Sequence, residues 1–290
     1  MKKLIKFLAV ILCLVGSISI YFIFNRPDMS NSTRIICKYF ENIQRKQKNE
    51  NIDAAEVNID FNNGHIEEEA LPLVIDYQNA FFQFSGYSIN NEAVYTENSV
   101  EENLYDLDGK DMKENVYRLK STLLKYGFAY KYEDVYYLYY CLDNEFGGDA
   151  EDFDELMSGI NADDKLSFYG IEIGISTFKK DKCFDKDIVC DGDADKLFDE
   201  CIIEKNMKNV GLIPNGRITT TSKTNLKTAT ISIYGYMKDT GIFLNLLIRR
   251  DGYLNLYNPG LRIDTCFQIS EEQLEMICQY ILQNFKVYKQ

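Results

Sequence analysis

The carboxy-terminal part of the chain places the tightest limits on the fold. Residues 228–237, 242–250 and 253–257 alternate apolar and polar side chains, and Asp239-Thr240-Gly241 and Asp251-Gly252 separate these runs. Such alternation is typical of half-buried strands, and Asp-Gly pairs tolerate the positive φ of tight hairpins. These residues therefore predict an antiparallel β-meander.

A helix is predicted to follow the meander and to cover it. Residues 270–285 place apolar side chains at helical spacing, Ser270 and Gln273 can form a capping box, and Ile269 can pack on Leu274. A small sheet needs such cover for its apolar face. With further strands predicted at residues 55–61 and 166–178 and a helix at 111–126, the sequence predicts an α+β body.

The amino terminus predicts a transmembrane signal anchor. A basic tail at residues 1–6 precedes residues 7–24, which contain no charged side chain. A helix of that length spans about 27 Å, close to the hydrocarbon thickness of a bilayer. The alternative is a secreted protein with a cleaved signal peptide. Val15-Gly16-Ser17 could be its cleavage site, but the apolar run continues beyond it, which favours the anchor.

The flanking charges favour a body on the extracytoplasmic side of a bacterial plasma membrane. Three lysines in the short tail tend to keep it in the cytoplasm, although Arg26 and Arg34 act in the opposite direction. The Lys-, Ile- and Asn-rich composition is typical of a bacterium with low G+C content. Together with the predicted anchor, it leads us to expect a single-pass protein of the cell envelope. A cytoplasmic body with reduced thiols is the alternative.

Residues 32–50 predict an amphipathic helix directly after the anchor. Its basic face could lie on anionic lipid, or its apolar stripe could dock on the core as the first helix of the body. The stripe is typical of domain helices, so docking is the favoured interpretation. Residues 51–290 then form the rest of the body, with a possible division near 145–165.

Composition narrows the classes of function. The formal net charge is −13, which argues against a nucleic-acid partner, because phosphate backbones require clustered Lys and Arg. The chain has a single histidine, His65, which follows a turn. A zinc site with several His ligands is therefore excluded, and only His65 could act as the base for a nucleophile. The sequence also contains neither a Gly-rich phosphate loop nor a Gly-x-Ser-x-Gly motif.

The segment CDGDADKLFDEC raises the question of calcium and of a disulfide. Asp191, Asp193 and Asp195 match three ligand positions of a calcium loop, but Lys196 replaces the turn glycine and Ile202 the closing glutamate. A helix start with acidic residues in its first turn is the favoured interpretation, and a weak calcium site is the alternative. Cys183 and Cys190 are the candidate disulfide pair in an oxidising compartment.

Three other segments are candidates for binding or catalysis. The tyrosine-rich residues 130–140 could form a binding platform, although burial in the core is favoured. Residues 219–224 could bind an anion, and acidic residues at 145–155 and 185–200 could serve an envelope enzyme. The absence of catalytic motifs favours a binding domain with a protein partner and no cofactor over the enzyme.

Overall fold

The computed structural model describes residues 28–50, 71–77, 79–95, 105–106, 108–147, 150–161, 164–179, 182–203, 206–212 and 225–289. Within these ranges the chain has the predicted α+β fold, with two antiparallel sheets and a helix near the carboxy terminus. The expected anchor, the strand predicted at 55–61 and His65 lie outside them. No helix in these ranges has both the length and the apolarity needed to cross a bilayer.

The first sheet has six strands in the order β3-β1-β2-β6-β5-β4. The strands are β1 (Val74–Tyr77), β2 (Ala80–Ile89), β3 (Tyr105–Asp106), β4 (Val116–Tyr117), β5 (Gly127–Tyr132) and β6 (Val135–Cys141). The β5–β6 hairpin turns at Glu133, whose φ is 55°. This sheet contains the tyrosine-rich segment, in which Tyr130, Tyr137, Tyr139 and Tyr140 are buried, as the favoured interpretation requires.

The second sheet has eight strands in the order β14-β8-β7-β10-β11-β12-β13-β9. The strands are β7 (Leu166–Lys179), β8 (Lys182–Asp191), β9 (Asn209–Gly211), β10 (Leu226–Met237), β11 (Phe243–Ile248), β12 (Tyr253–Asn258), β13 (Ile263–Gln268) and β14 (Lys286–Lys289). The predicted meander is confirmed as β10, β11 and β12, in the middle of this larger sheet. At the β11–β12 turn, the Arg249 N–H donates to the Tyr253 carbonyl, so the loop has three residues and ends on Gly252 with φ 88°.

In the described part of the chain four α-helices accompany the sheets: α1 (Asn31–Glu50), α2 (Phe153–Ile160), α3 (Ala194–Cys201) and α4 (Glu271–Asn284). The apolar stripe of α1 docks on the core, with Ile36, Phe40 and Ile43 buried. The Ser270 hydroxyl caps α4 by accepting from Gln273 N–H at 3.1 Å. The Gln273 side chain does not close the capping box but donates to the Cys201 carbonyl at 3.3 Å, which joins α4 to α3.

One hydrophobic core continues across both sheets. It includes Leu138 of the first sheet, Ile231 of the second, Phe153 of α2 and Ile277 of α4. A smaller cluster on the first sheet contains Phe82, Phe128 and Tyr139, whose rings are in contact. The chain passes from the first sheet to the second between β6 and β7, in the region where the sequence allows a division of the body.

The helix predicted at residues 111–126 does not form. Residues Lys113–Asn115 form a 3₁₀ turn, Val116 pairs with Tyr130 in the sheet, and Ser121 has a φ of 56°. Val116 and Leu119 are buried, but Leu123 is 46% exposed, so the apolar residues do not form one helical face. Pairing with β5 thus overrides a pattern that fits a helix locally.

Candidate functional site

The three aspartates of CDGDADKLFDEC have three separate structural roles. The Asp193 carboxylate caps α3 by accepting from Lys196 N–H at 2.9 Å. Asp195 accepts from Phe168 N–H at 2.5 Å and from the Ser167 hydroxyl at 3.3 Å, which fastens α3 to β7. Asp191, at the end of β8, accepts from the Tyr288 hydroxyl at 3.3 Å. These contacts are those of the predicted helix start.

The weak calcium site stays a prediction for these residues. In the part of the chain that the structure describes, no three His, Cys, Asp or Glu side chains converge as ligands of a metal ion would. Asp193 and Asp195 already use carboxylate oxygens on backbone N–H groups, so a calcium ion would have to compete with those hydrogen bonds.

The structure separates the two cysteines of the candidate disulfide. Cys183 and Cys190 lie on the same strand, β8, and both thiols are free. An extended strand rises about 3.3 Å per residue, so their Cα atoms are about 23 Å apart. A disulfide requires less than about 7 Å, and the pairing is therefore corrected. The pairing was inferred from closeness in the sequence, whereas one continuous strand holds the two residues apart.

An acidic pocket of about 430 Å³ lies between α3 and the start of β7. Asp164, Asp195 and Asp199 line it together with Lys238. Burial raises the pKa of Asp199, the charges of Asp195 and Asp164 add to this shift, and Lys238 opposes it. Because Asp164 and Asp199 are exposed residues, the carboxylates line a solvated pocket.

The second sheet presents aromatic side chains on the face opposite its core. Ile231 and Ile233 of β10 are buried in the core, so the alternating residues Tyr234 and Tyr236 lie on the other face. The rings of Tyr234 and Phe243 are 6.3 Å apart, and those of Tyr236 and Tyr169 are 6.1 Å apart. We call this surface the tyrosine face, and it consists of Tyr169, Tyr234, Tyr236, Phe243 and Tyr257.

Sheet register places a polar residue in the middle of the tyrosine face. Asn245 pairs with Tyr234 on one side and with Tyr257 on the other. Its Oδ1 is buried and accepts no hydrogen bond from the described residues. Tyr236 and Tyr257 are 37% and 41% exposed, so aromatic area remains accessible on both sides of this acceptor. The face therefore offers accessible ring surface, while the acceptor between the rings is buried.

Negative charge surrounds the aromatic rings. Glu172 accepts from the Tyr234 hydroxyl at 3.1 Å, and burial together with the Glu172 charge raises the pKa of Tyr234 to about 12. Asp264 pairs with Tyr257 across the β12–β13 ladder, and Asp187 pairs with Gly174 on the same face as Glu172. The Arg249 guanidinium on this side of the sheet is already paired with Asp251 at 3.1 Å. A cationic surface would therefore complement the tyrosine face.

The sequence analysis favoured burial of the tyrosine-rich residues 130–140, and Tyr130, Tyr137 and Tyr139 do belong to the core of the first sheet. It did not single out the residues of the tyrosine face. The alternation in TATISIYGYM did contain a usable signal, because it places Tyr234 and Tyr236 opposite the isoleucines. The partners from β7, β11 and β12 could not be inferred without the sheet order. The polar segment at 219–224 lies outside the described residues.

Comparison with protein-family models, curated proteins and solved structures found no match to this chain. The interpretation of the site therefore depends on its geometry and chemistry.

Proposed function

We propose that the chain is a membrane-anchored binding domain of a bacterial cell envelope, with its body on the extracytoplasmic side. In this proposal residues 7–24 hold the protein in the plasma membrane and the tyrosine face binds a partner protein. The observation that supports it is the exposure of two tyrosine rings, Tyr236 and Tyr257, on the strands to either side of Asn245. Tyrosine offers a rigid apolar ring with a polar tip, which is typical of protein-binding surfaces.

The charge of the face favours a partner with a basic surface. Lys and Arg side chains can pair with Glu172 and Asp264 and lie over tyrosine rings. The net charge of −13 would attract such a partner over a distance of about one Debye length. We expect association to weaken as ionic strength rises.

The proposal is tested by crosslinking from defined positions in the full-length protein. A photoreactive amino acid replaces Tyr236 on the tyrosine face or, as a matched control, Met276, which is 37% exposed on α4. We expect intact cells to give a discrete crosslinked protein from position 236 and not from 276. That protein is then purified, and its dissociation constant for the anchored chain is measured.

Binding by this surface predicts a specific loss of affinity. Truncation of a central aromatic contact typically costs ~2 kcal/mol, so we expect Tyr257→Ser to raise the dissociation constant about 30-fold. Met276→Ser should change the dissociation constant less than about twofold, since α4 lies on the core side of the sheet and away from the tyrosine face. Equal crosslinking from both positions, or equal effects of both substitutions, would contradict the proposal.

A further inference from the structure

The described chain begins beside one end of the second sheet. Asp28 forms a parallel bridge with Leu226, and Asp28 N–H donates to the Asn225 carbonyl at 2.8 Å. Leu226 pairs on its other side with Phe178, which in turn pairs with Cys183. Asp28, Leu226, Phe178 and Cys183 therefore lie on one row across the sheet. Neighbouring strands are about 4.8 Å apart, so this row spans about 14 Å.

This row marks the end of the body nearest the expected anchor. Residue 24 is the last residue of the apolar run, and four residues of chain can reach about 14 Å at most. The opposite end of β10, at Met237, lies about 36 Å further along the strand. A membrane that holds residues 7–24 must therefore lie close to the β7–β8 hairpin and far from Lys238.

The β7–β8 hairpin carries basic side chains and an exposed aromatic ring at this end. Register places Lys182, Phe184 and Lys186 on one face of β8, and Lys179 pairs with Lys182. The three lysines are exposed, and Phe184 is 54% exposed. We call these four residues the hairpin patch. It is positively charged in a protein whose formal net charge is −13.

Two acidic residues of β8, Asp185 and Asp187, are on the face opposite the patch. Asp185 lies on the opposite face of β8, where it accepts from the Cys183 thiol at 3.0 Å. β14 pairs with β8 only at residues 188–191, so the patch-bearing half of β8 has no ladder partner on that side among the described strands. An edge strand with alternating cations and an aromatic ring matches the chemistry of a lipid headgroup layer.

We propose that the hairpin patch contacts the anionic headgroups of the membrane in which the protein is anchored. Lys179, Lys182 and Lys186 pair with phosphate-bearing headgroups, and Phe184 inserts at the boundary between headgroups and acyl chains. The contact orients the body so that the tyrosine face is held beside the bilayer and not beneath it. This inference rests on the proposed anchor.

The contact is tested with the full-length chain in vesicles of phosphatidylcholine alone or mixed with phosphatidylglycerol. Cys183 lies beside the patch and takes an environment-sensitive fluorophore, in a Cys13→Ser background that leaves the patch intact. Nitroxide-labelled headgroups then quench the fluorophore in proportion to their proximity. The matched control carries Cys183→Ser and Lys238→Cys, which moves the fluorophore to the distal end of β10.

We expect quenching at Cys183 to exceed quenching at position 238 several-fold in vesicles with phosphatidylglycerol. Quenching at Cys183 should decrease in vesicles of phosphatidylcholine alone and at high salt. It should also decrease in the double variant Lys182→Glu with Lys186→Glu, whereas Lys238→Glu should leave it unchanged. The lipid and salt comparisons use the unaltered patch, so they remain decisive if the double variant misfolds.

Failure of the headgroup contact can be distinguished from failure of the proposed anchor. Retention of the chain on vesicles after an alkaline carbonate wash, with equal quenching at both positions, would overturn the headgroup contact and leave the anchor in place. Release of the chain by the wash would overturn the anchor itself, and the headgroup contact with it.

Discussion

Gly159 shows how closely a single residue is adapted to its surroundings. It lies near the end of α2, and a Cβ built on it would be 2.2 Å from Cε2 of Tyr126. Tyr126 is one of the largest fully buried side chains. The missing side chain therefore allows α2 to approach the first sheet, even though glycine is a poor residue for a helix interior.

We predict that Gly159→Ala destabilises the protein by about 1–3 kcal/mol, because the buried ring must move or α2 must shift. Helix propensity alone predicts the opposite, a gain of about 1 kcal/mol. Urea unfolding measures the difference, with Ser158→Ala as the control at the exposed neighbouring position of the same helix. A stabilised Gly159→Ala variant would show that the ring relaxes without cost.

At the scale of elements, side chains from neighbouring segments satisfy the helix ends. Asp193 caps the start of α3, and Asp195 binds it to β7. The Lys46 ammonium of α1 donates to the carbonyls of Leu282 and Phe285 at the end of α4, at 3.2 and 3.0 Å. A positive charge at that end also complements the helix dipole. The acidic segment thus has a structural explanation that requires no metal.

We predict a graded loss of stability when each aspartate of this segment is replaced by alanine. Asp195→Ala should cost about 2 kcal/mol, since it leaves the Phe168 N–H without its charged acceptor. Asp193→Ala should cost about 1 kcal/mol for the lost cap, and Asp191→Ala less than about 0.5 kcal/mol. Thermal unfolding measures each loss.

The same measurements test the calcium alternative. We expect millimolar calcium to leave the melting temperature of the unaltered protein unchanged. A bound ion at about 100 times its dissociation constant would instead add about 2.7 kcal/mol. A calcium-dependent rise in melting temperature that disappears in Asp191→Ala would establish the calcium site and contradict the purely structural interpretation.

Across the whole molecule, the cysteines differ in how far their thiols are exposed to solvent. Cys183 is exposed on the β7–β8 hairpin, whereas the other cysteines in the described ranges are buried. Burial raises the pKa of Cys190 and of Cys278 to about 12. The hydrogen bond to Asp185 is the main cause that raises the pKa of the Cys183 thiol, so its reaction should be slow at neutral pH and faster at mildly alkaline pH.

We predict that an impermeant maleimide labels intact cells at Cys183 if the body is extracytoplasmic. The label should disappear in Cys183→Ser, because the thiols at the other described positions are shielded by the fold. Denaturation before labelling should expose them and provides the positive control. Modification of Cys183 only after lysis would place the body in the cytoplasm and overturn the proposed orientation.

Several features were predictable because they depend on residues close together in the chain. The alternation at β7, β10, β11 and β12 identified the strands, and Ser270 identified the start of α4. The acidic residues before Leu197 identified the start of α3 in the same way. Each of these signals comes from a periodicity or a cap within one segment, and local sequence records such patterns directly.

Local patterns were therefore sufficient to predict the α+β class, the central meander and its closing helix. The pairing of strands explains why residues 111–126 are not a helix, why Cys183 and Cys190 cannot form a disulfide, and why Tyr169, Tyr234 and Tyr257 share one face. These outcomes depend on which strands become neighbours and in what register. Strand pairing joins residues far apart in the chain, and no periodicity within a single segment encodes the choice of partner.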